Sequence, residues 1–172
     1  MKKILLGVFV TVISLAMIIN FKFFNLTSIA KAASIEDSQL ITTDLDTNAM
    51  AFDHIKLDVP QSIPLIDSNT AIENAKKAFP DWAADAKQVK AEYHLVSNDT
   101  FECFSDAALN KNADLKTKKH MDKTPAYIVS FRGMTYYGHV PNGFKGNIPV
   151  HHEYNVIVDA TSGEPLMGFS DR

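Results

Sequence analysis

The chain has 172 residues, 46% of them hydrophobic and 22% charged, with a formal net charge of −3, a balance that fits one globular domain. All 20 acidic but only 13 of the 17 basic residues lie beyond position 32, so that part carries −7. Without a basic stripe it is a poor match for nucleic acid or an anionic membrane surface, and the charge serves solubility. Cys103 is the single cysteine, which excludes an internal disulfide and leaves the fold to stand on its core.

Met1-Lys2-Lys3 precedes an uncharged apolar run over residues 4–19, and Ala30-Lys31-Ala32 supplies an A-x-A site before Ala33. These are the three parts of a secretory signal peptide cleaved after Ala32. The rival is an uncleaved membrane anchor, in which Phe21, Phe23 and Phe24 extend the run and Lys22 snorkels to the interface. The lysines before the run keep the start cytoplasmic, so both alternatives place the rest outside the membrane, secreted or at the cell surface. A long apolar core with a late A-x-A suits a Gram-positive bacterium, and no cysteine near the leader's end offers a lipid-attachment site. The expected organisation is a signal peptide or anchor over 1–32, a polar tether over 33–66 that includes one short candidate strand, and a folded domain over 67–172.

Asp44, Asp46 and Asn48 in the tether follow the D-x-D-x-N opening of a calcium loop. Ala49 stands where its glycine belongs and Ile55 where its bidentate Glu belongs, so that loop is excluded. Ile55, Leu57 and Val59 alternate with Lys56 and Asp58 as in a half-buried strand, which Pro60 and Pro64 break. Thr70-Ala71-Ile72-Glu73 has the form of a capping box, so a helix is expected to start there. Ile72, Ala75 and Phe79 share one of its faces, Pro80 ends it, and a second turn over 81–86 packs Trp82. Val89, Ala91, Tyr93 and Leu95 alternate with Lys90, Glu92 and His94, predicting a strand with one buried and one wet face. Residues 101–104 read as a returning strand with Cys103 a buried, inert thiol between aromatics. The lysine-rich stretch 110–123 reads as a solvated loop or a frayed helix.

The strongest strand spans 126–137, with Tyr127, Val129 and Phe131 on one face and Ile128 and Ser130 on the other. A loop over 138–149 leads to a strand over 150–159. The stretch 159–163 then supplies a turn into a last strand over 164–169, with Gly163 free to take φ > 0.

The order of a capped helix, a strand, a charged excursion and strands ending in V-I-V-D-A-T-S-G-E-P-L resembles the PepSY domains. Val156-Ile157-Val158-Asp159, Gly163, Glu164 and Leu166 match that family's C-terminal hairpin, and the helix around Ala71, Ala75 and Phe79 is similar to its A-x-x-x-A-x-x-x-F pattern. The resemblance spans residues 68–170, and the chain departs from a minimal member in the excursion over 101–124 and the glycine-rich loop over 138–149. It implies an α+β fold, a short amphipathic helix packed on a small antiparallel sheet ending in a β-hairpin. The role it implies is non-catalytic and outside the membrane, restraining or modulating peptidases or serving as a sensory module. It brings no catalytic residue and no cofactor.

The residues bear on five chemistries. Asp159 and Glu164 are either turn residues or a functional carboxylate pair, and the resemblance favours the turn. Met134, Tyr136, Tyr137, Phe144 and Ile148 concentrate apolar surface around the glycine-rich loop. Tyr136, Tyr137 and Phe144 are therefore candidate contacts for a protein partner, with closure of the sheet's core as the alternative. His139, His151 and His152 beside Glu153 offer zinc or copper ligands, but a strand would point His152 away from His151. A hydrolase finds no nucleophile elbow, Ser162 lying in a tight turn, and glycines 138, 143 and 146 match no phosphate loop.

Overall fold

The structure, a computed structural model, describes residues 43–143 and 145–170; the expected leader with its A-x-A site, residues 33–42 of the expected tether, and Phe144 lie outside them. In chain order the elements are α1 (Thr47–Phe52), β1 (Lys56–Asp58), α2 (Ser68–Ala78), α3 (Pro80–Asp85) and β2 (Gln88–Asn98). There follow α4 (Asp106–Lys111), α5 (Ala113–Lys118), β3 (Met121–Tyr137), β4 (Val150–Asp159) and β5 (Pro165–Ser170). The strands form one antiparallel sheet in the order β1-β2-β3-β4-β5, so the α+β fold expected from the sequence is the fold observed.

Helices cover both faces of this sheet. On one, α2 buries Ala71 and Ala75 against Tyr127, Val129, Phe131, Val156 and Val158, and α3 packs the partly buried Trp82 and Ala83 on the same cluster. On the other, Met50 of α1, Ala108 of α4 and Leu115 of α5 pack on Val96, Ala126, Ile128, Ile157 and Phe169. Every residue from 126 to 131 is buried as a result, which is why β3 reads as a nearly unbroken apolar run rather than an alternation.

Three expectations are corrected. Part of the presumed tether is integral to the domain: Leu45, Met50 and Ile55 are core residues, and β1 pairs with β2 through Leu57 and Val96. A few anchors suffice there because the neighbouring polar side chains stay on the surface. Residues 101–104 are not a strand. Phe101 and Phe104 meet edge to face at 5.2 Å and pack on the core while Cys103 is exposed. The lysine-rich stretch 110–123 is neither a loop nor a frayed helix: it ends α4, forms α5 and opens β3 from Met121, and each helix is held by a cap, Ser105 accepting from the Ala108 amide and Asn112 from the Leu115 amide.

The start of α2 also differs. Asp67, in an extended conformation, accepts from the Thr70 amide at 2.7 Å, so Thr70 already lies in the first turn and Glu73 pairs with Lys76 instead of reaching back. That amide holds the Asp67 carboxyl below the ordinary carboxylate range. A depressed folded-state value means the cap's contribution is present above the unfolded value, about 3.9, and is lost as pH falls through the folded one. Asp67→Asn keeps an acceptor and removes the titration. Its melting temperature should therefore fall less steeply than wild type below about pH 4, and identical acid limbs would refute the assignment.

Candidate functional site

Beyond Arg132 the pairing of β3 with β4 shifts register, and Gly133 takes φ +78°, so a bulge re-aims the end of the strand. Past it, Tyr136 pairs with His151 and Tyr137 with Val150 in a two-stranded ribbon leading to the glycine-rich loop. Met134 remains in the core below α2 and α3. Tyr136 leans on Trp82 of α3 with ring centroids 4.6 Å apart, and Trp82 stacks flat on Tyr154 at 4.2 Å. Phe79 meets Tyr154 tilted, with ring centroids 5.4 Å apart, and burial pushes the Tyr154 phenol above its usual pKa.

Alternation puts Tyr137 on the opposite side of the ribbon from Tyr136, facing its partner Val150. Exposure is 47% for Tyr136, 64% for Tyr137, 48% for Ile148 and 40% for Val150, which makes the ribbon end an apolar surface. The contact and core alternatives are thus divided between residues: Met134 is core, Tyr136 is anchored but open on one side, and Tyr137 is surface. Val150 joins the patch unforeseen, because its place depends on a register that crosses the bulge.

The histidines are not assembled. His152 Nδ1 lies 3.1 Å from the Met134 carbonyl, His151 faces Tyr136, and His139 is exposed in the loop. Among the described residues no group of three His, Cys, Asp or Glu side chains is placed to hold a metal ion, so the candidate set His139, His151 and His152 is not supported.

The β4–β5 corner is structural. The fully buried Asp159 carboxylate accepts from the Thr161 amide at 2.9 Å, the Ser162 hydroxyl at 2.7 Å and the Asn112 side-chain amide at 3.0 Å. Gly163, at φ +76°, donates to the Asp159 carbonyl, and Asn74 donates to the Gly163 carbonyl at 2.9 Å. Glu164 pairs with Lys111 of α4. Neither carboxylate is left to act with the other.

The face of β2 expected to be wet is partly covered. Glu92 accepts from the Thr43 hydroxyl at 2.7 Å and stands 3.2 Å from His94, which is only 6% exposed. Beside it Arg132 and Glu153, directly paired across β3 and β4, form an ion pair at 2.7 Å, and Arg132 also donates to the Asp44 carbonyl. Residues 43–45 thus lie over a polar end of the sheet, an arrangement no strand pattern announces.

Neither the family models, nor the curated proteins, nor the solved structures include a match to this chain.

Proposed function

We infer that this is a non-catalytic binding module, exported by its leader, that holds a protein partner through the end of the β3–β4 ribbon. The observation that carries it is the facing pair Tyr137 and Val150, open to solvent between Tyr136 and Ile148. Aromatic side chains on a rigid ribbon present large contact area at little entropic cost, as interface anchors do. The resemblance of the helix and hairpin to PepSY domains makes a secreted or membrane peptidase the partner class to test first, restrained rather than cleaved with. Neither a nucleic acid nor a cofactor enters this role, and the membrane enters only through the N-terminal segment if it is retained.

Crosslinking in cells with the full-length tagged chain, followed by mass spectrometry, is the test. Tyr137→Ser should lose the captured protein while its melting temperature stays near wild type, since a surface substitution is worth within about 0.5 kcal/mol. Tyr136→Ala, which strips the cover from Trp82, should lower both. Unchanged capture by Tyr137→Ser would remove the ribbon end from the interface.

A further inference from the structure

The outer edge of β2 is only partly covered. β1 reaches Leu95, Val96 and Ser97, and among the described residues no strand pairs with the outer side of residues 88–93. Register fixes which backbone groups are left there. The Ala160 amide donates to the Pro125 carbonyl at 2.9 Å, so the polar groups of Pro125 and, by alternation, of Tyr127, Val129 and Phe131 face β4. Those of Ala126, Ile128 and Ser130 then face β2, where their partners His94, Glu92 and Lys90 meet them. Val89, Ala91 and Tyr93 therefore turn N–H and C=O outward, in phase with Leu95 and Ser97, which β1 engages.

The other edges are blunted: β5 opens with Pro165 and contains Gly168, and β1 is three residues long with Pro60 close behind. Residues 88–93 carry neither proline nor glycine, and such an edge accepts a further strand. We propose that the added strand is the same stretch of a second copy, antiparallel about a twofold axis at Ala91, so that two sheets become one.

For an axis within residues 90–92 the side chains select that register. An axis on Tyr93 would pair Ala91 with Leu95, which β1 already holds, and an axis on Val89 would leave Glu92 and Tyr93 unpaired. Centring the axis on Lys90 sets Lys90 against itself, and centring it on Glu92 sets Glu92 against itself, each a repulsive facing pair. An axis between residues would oppose outward-turned amides with inward-turned ones. On Ala91, each Lys90 faces the Glu92 of the other copy and each Val89 faces a Tyr93. An isologous contact needs this self-complementarity. Lys90 and Glu92 then occupy non-hydrogen-bonded positions, where facing side chains are closest. Their side chains are 41% and 22% exposed, Lys90 already meeting Asp44 and Glu92 meeting Thr43, the Asp44 amide and His94 within one copy.

Twofold-related positions 91 would have Cα atoms about 5.5 Å apart, within disulfide reach. The full chain carrying Ala91→Cys and Cys103→Ser, oxidised in cells and run without reductant, should give a band at twice the chain's mass. Lys90→Glu should weaken that band, and Lys90→Glu with Glu92→Lys should restore it. Residues 90 and 92 share one face of the strand and both touch Asp44, so the melting temperatures of the single and double variants are compared, and recovery of the band without recovery of stability assigns it to the contact between copies. Sedimentation of the detergent-solubilised full chain, without the engineered cysteine, serves as the second measurement should the half-buried site at Ala91 not tolerate cysteine. There Lys90→Glu should raise the dimer dissociation constant roughly tenfold, because two facing pairs become repulsive. A monomer at every concentration together with no band from position 91 overturns the proposal. So does a band joining position 91 to a different protein, which would make the edge a site for a foreign strand.

Discussion

Asp159→Ala should cost about 2–4 kcal/mol, because it removes a buried acceptor serving three donors and leaves some of them unpaired. The carboxylate binds the turn to itself through Thr161 and Ser162, and binds the turn to the second helical layer through Asn112. Asn112 is also the cap of α5, accepting from the Leu115 amide at 3.1 Å. The loss would therefore reach a helix 47 residues away in the chain. Asp159→Asn keeps one acceptor but must aim its amide at a donor, so its cost should be smaller. Ser162→Ala removes one donor and leaves the carboxylate two, at about 1 kcal/mol. For a domain of this size the alanine variant should melt roughly 10 °C lower, with the others in between. A melt within a degree of wild type would mean the backbone bonds of the corner, from Gly163 to the Asp159 carbonyl and from the Asp159 amide to the Glu164 carbonyl, hold it unaided.

That corner was legible because its chemistry is local. An aspartate, small polar residues and a glycine at φ > 0 describe a turn whatever surrounds it. The strands β2, β3 and β4 were legible for a similar reason, since β-branched and aromatic residues concentrate there. What escaped depends on partners far along the chain. Leu45 and Ile55 are isolated apolar residues and Met50 sits in a run of only four, and the uncovered face of Ile128 and Ile157 makes them core. Ala108 and Leu115 are likewise single anchors on short helices whose lysines look outward. The cap of α2 was misplaced by three residues because Asp67 and Thr70 are both good caps, and extended backbone at Asp67 decides between them. At the ribbon end, Tyr136 and Tyr137 were readable as candidates. Their division into an anchored and an open side was not, since it requires the bulge at Gly133 and the approach of Trp82.

The stack beneath that ribbon makes the second strong prediction. Gly168 of β5 sits under the Tyr154 ring, on the diagonal across β4 and β5. A Cβ at 168 would overlap the Tyr154 hydroxyl oxygen and lie 2.8 Å from Cζ and 3.1 Å from Cε1. The ring cannot swing aside cheaply, because Trp82 lies parallel on it at 4.2 Å and Phe79 bounds it at 5.4 Å. Gly168→Ala must therefore break the stack or bend the edge strand. Overpacking of this kind costs about 1–3 kcal/mol, and Gly168→Val should cost more. Trp82 is the chain's single tryptophan, so its emission reports the same event directly: separation from Tyr154 should shift and brighten it before global unfolding. In a Tyr154→Ala background, where the obstructing ring is gone, adding Gly168→Ala should cost little, since contacting sites couple. Equal costs in both backgrounds would place the penalty in the backbone of β5 rather than in the ring. Because Tyr136 rests on the same tryptophan, the variant should also loosen the open side of the ribbon, weakening partner capture even at temperatures where the domain remains folded.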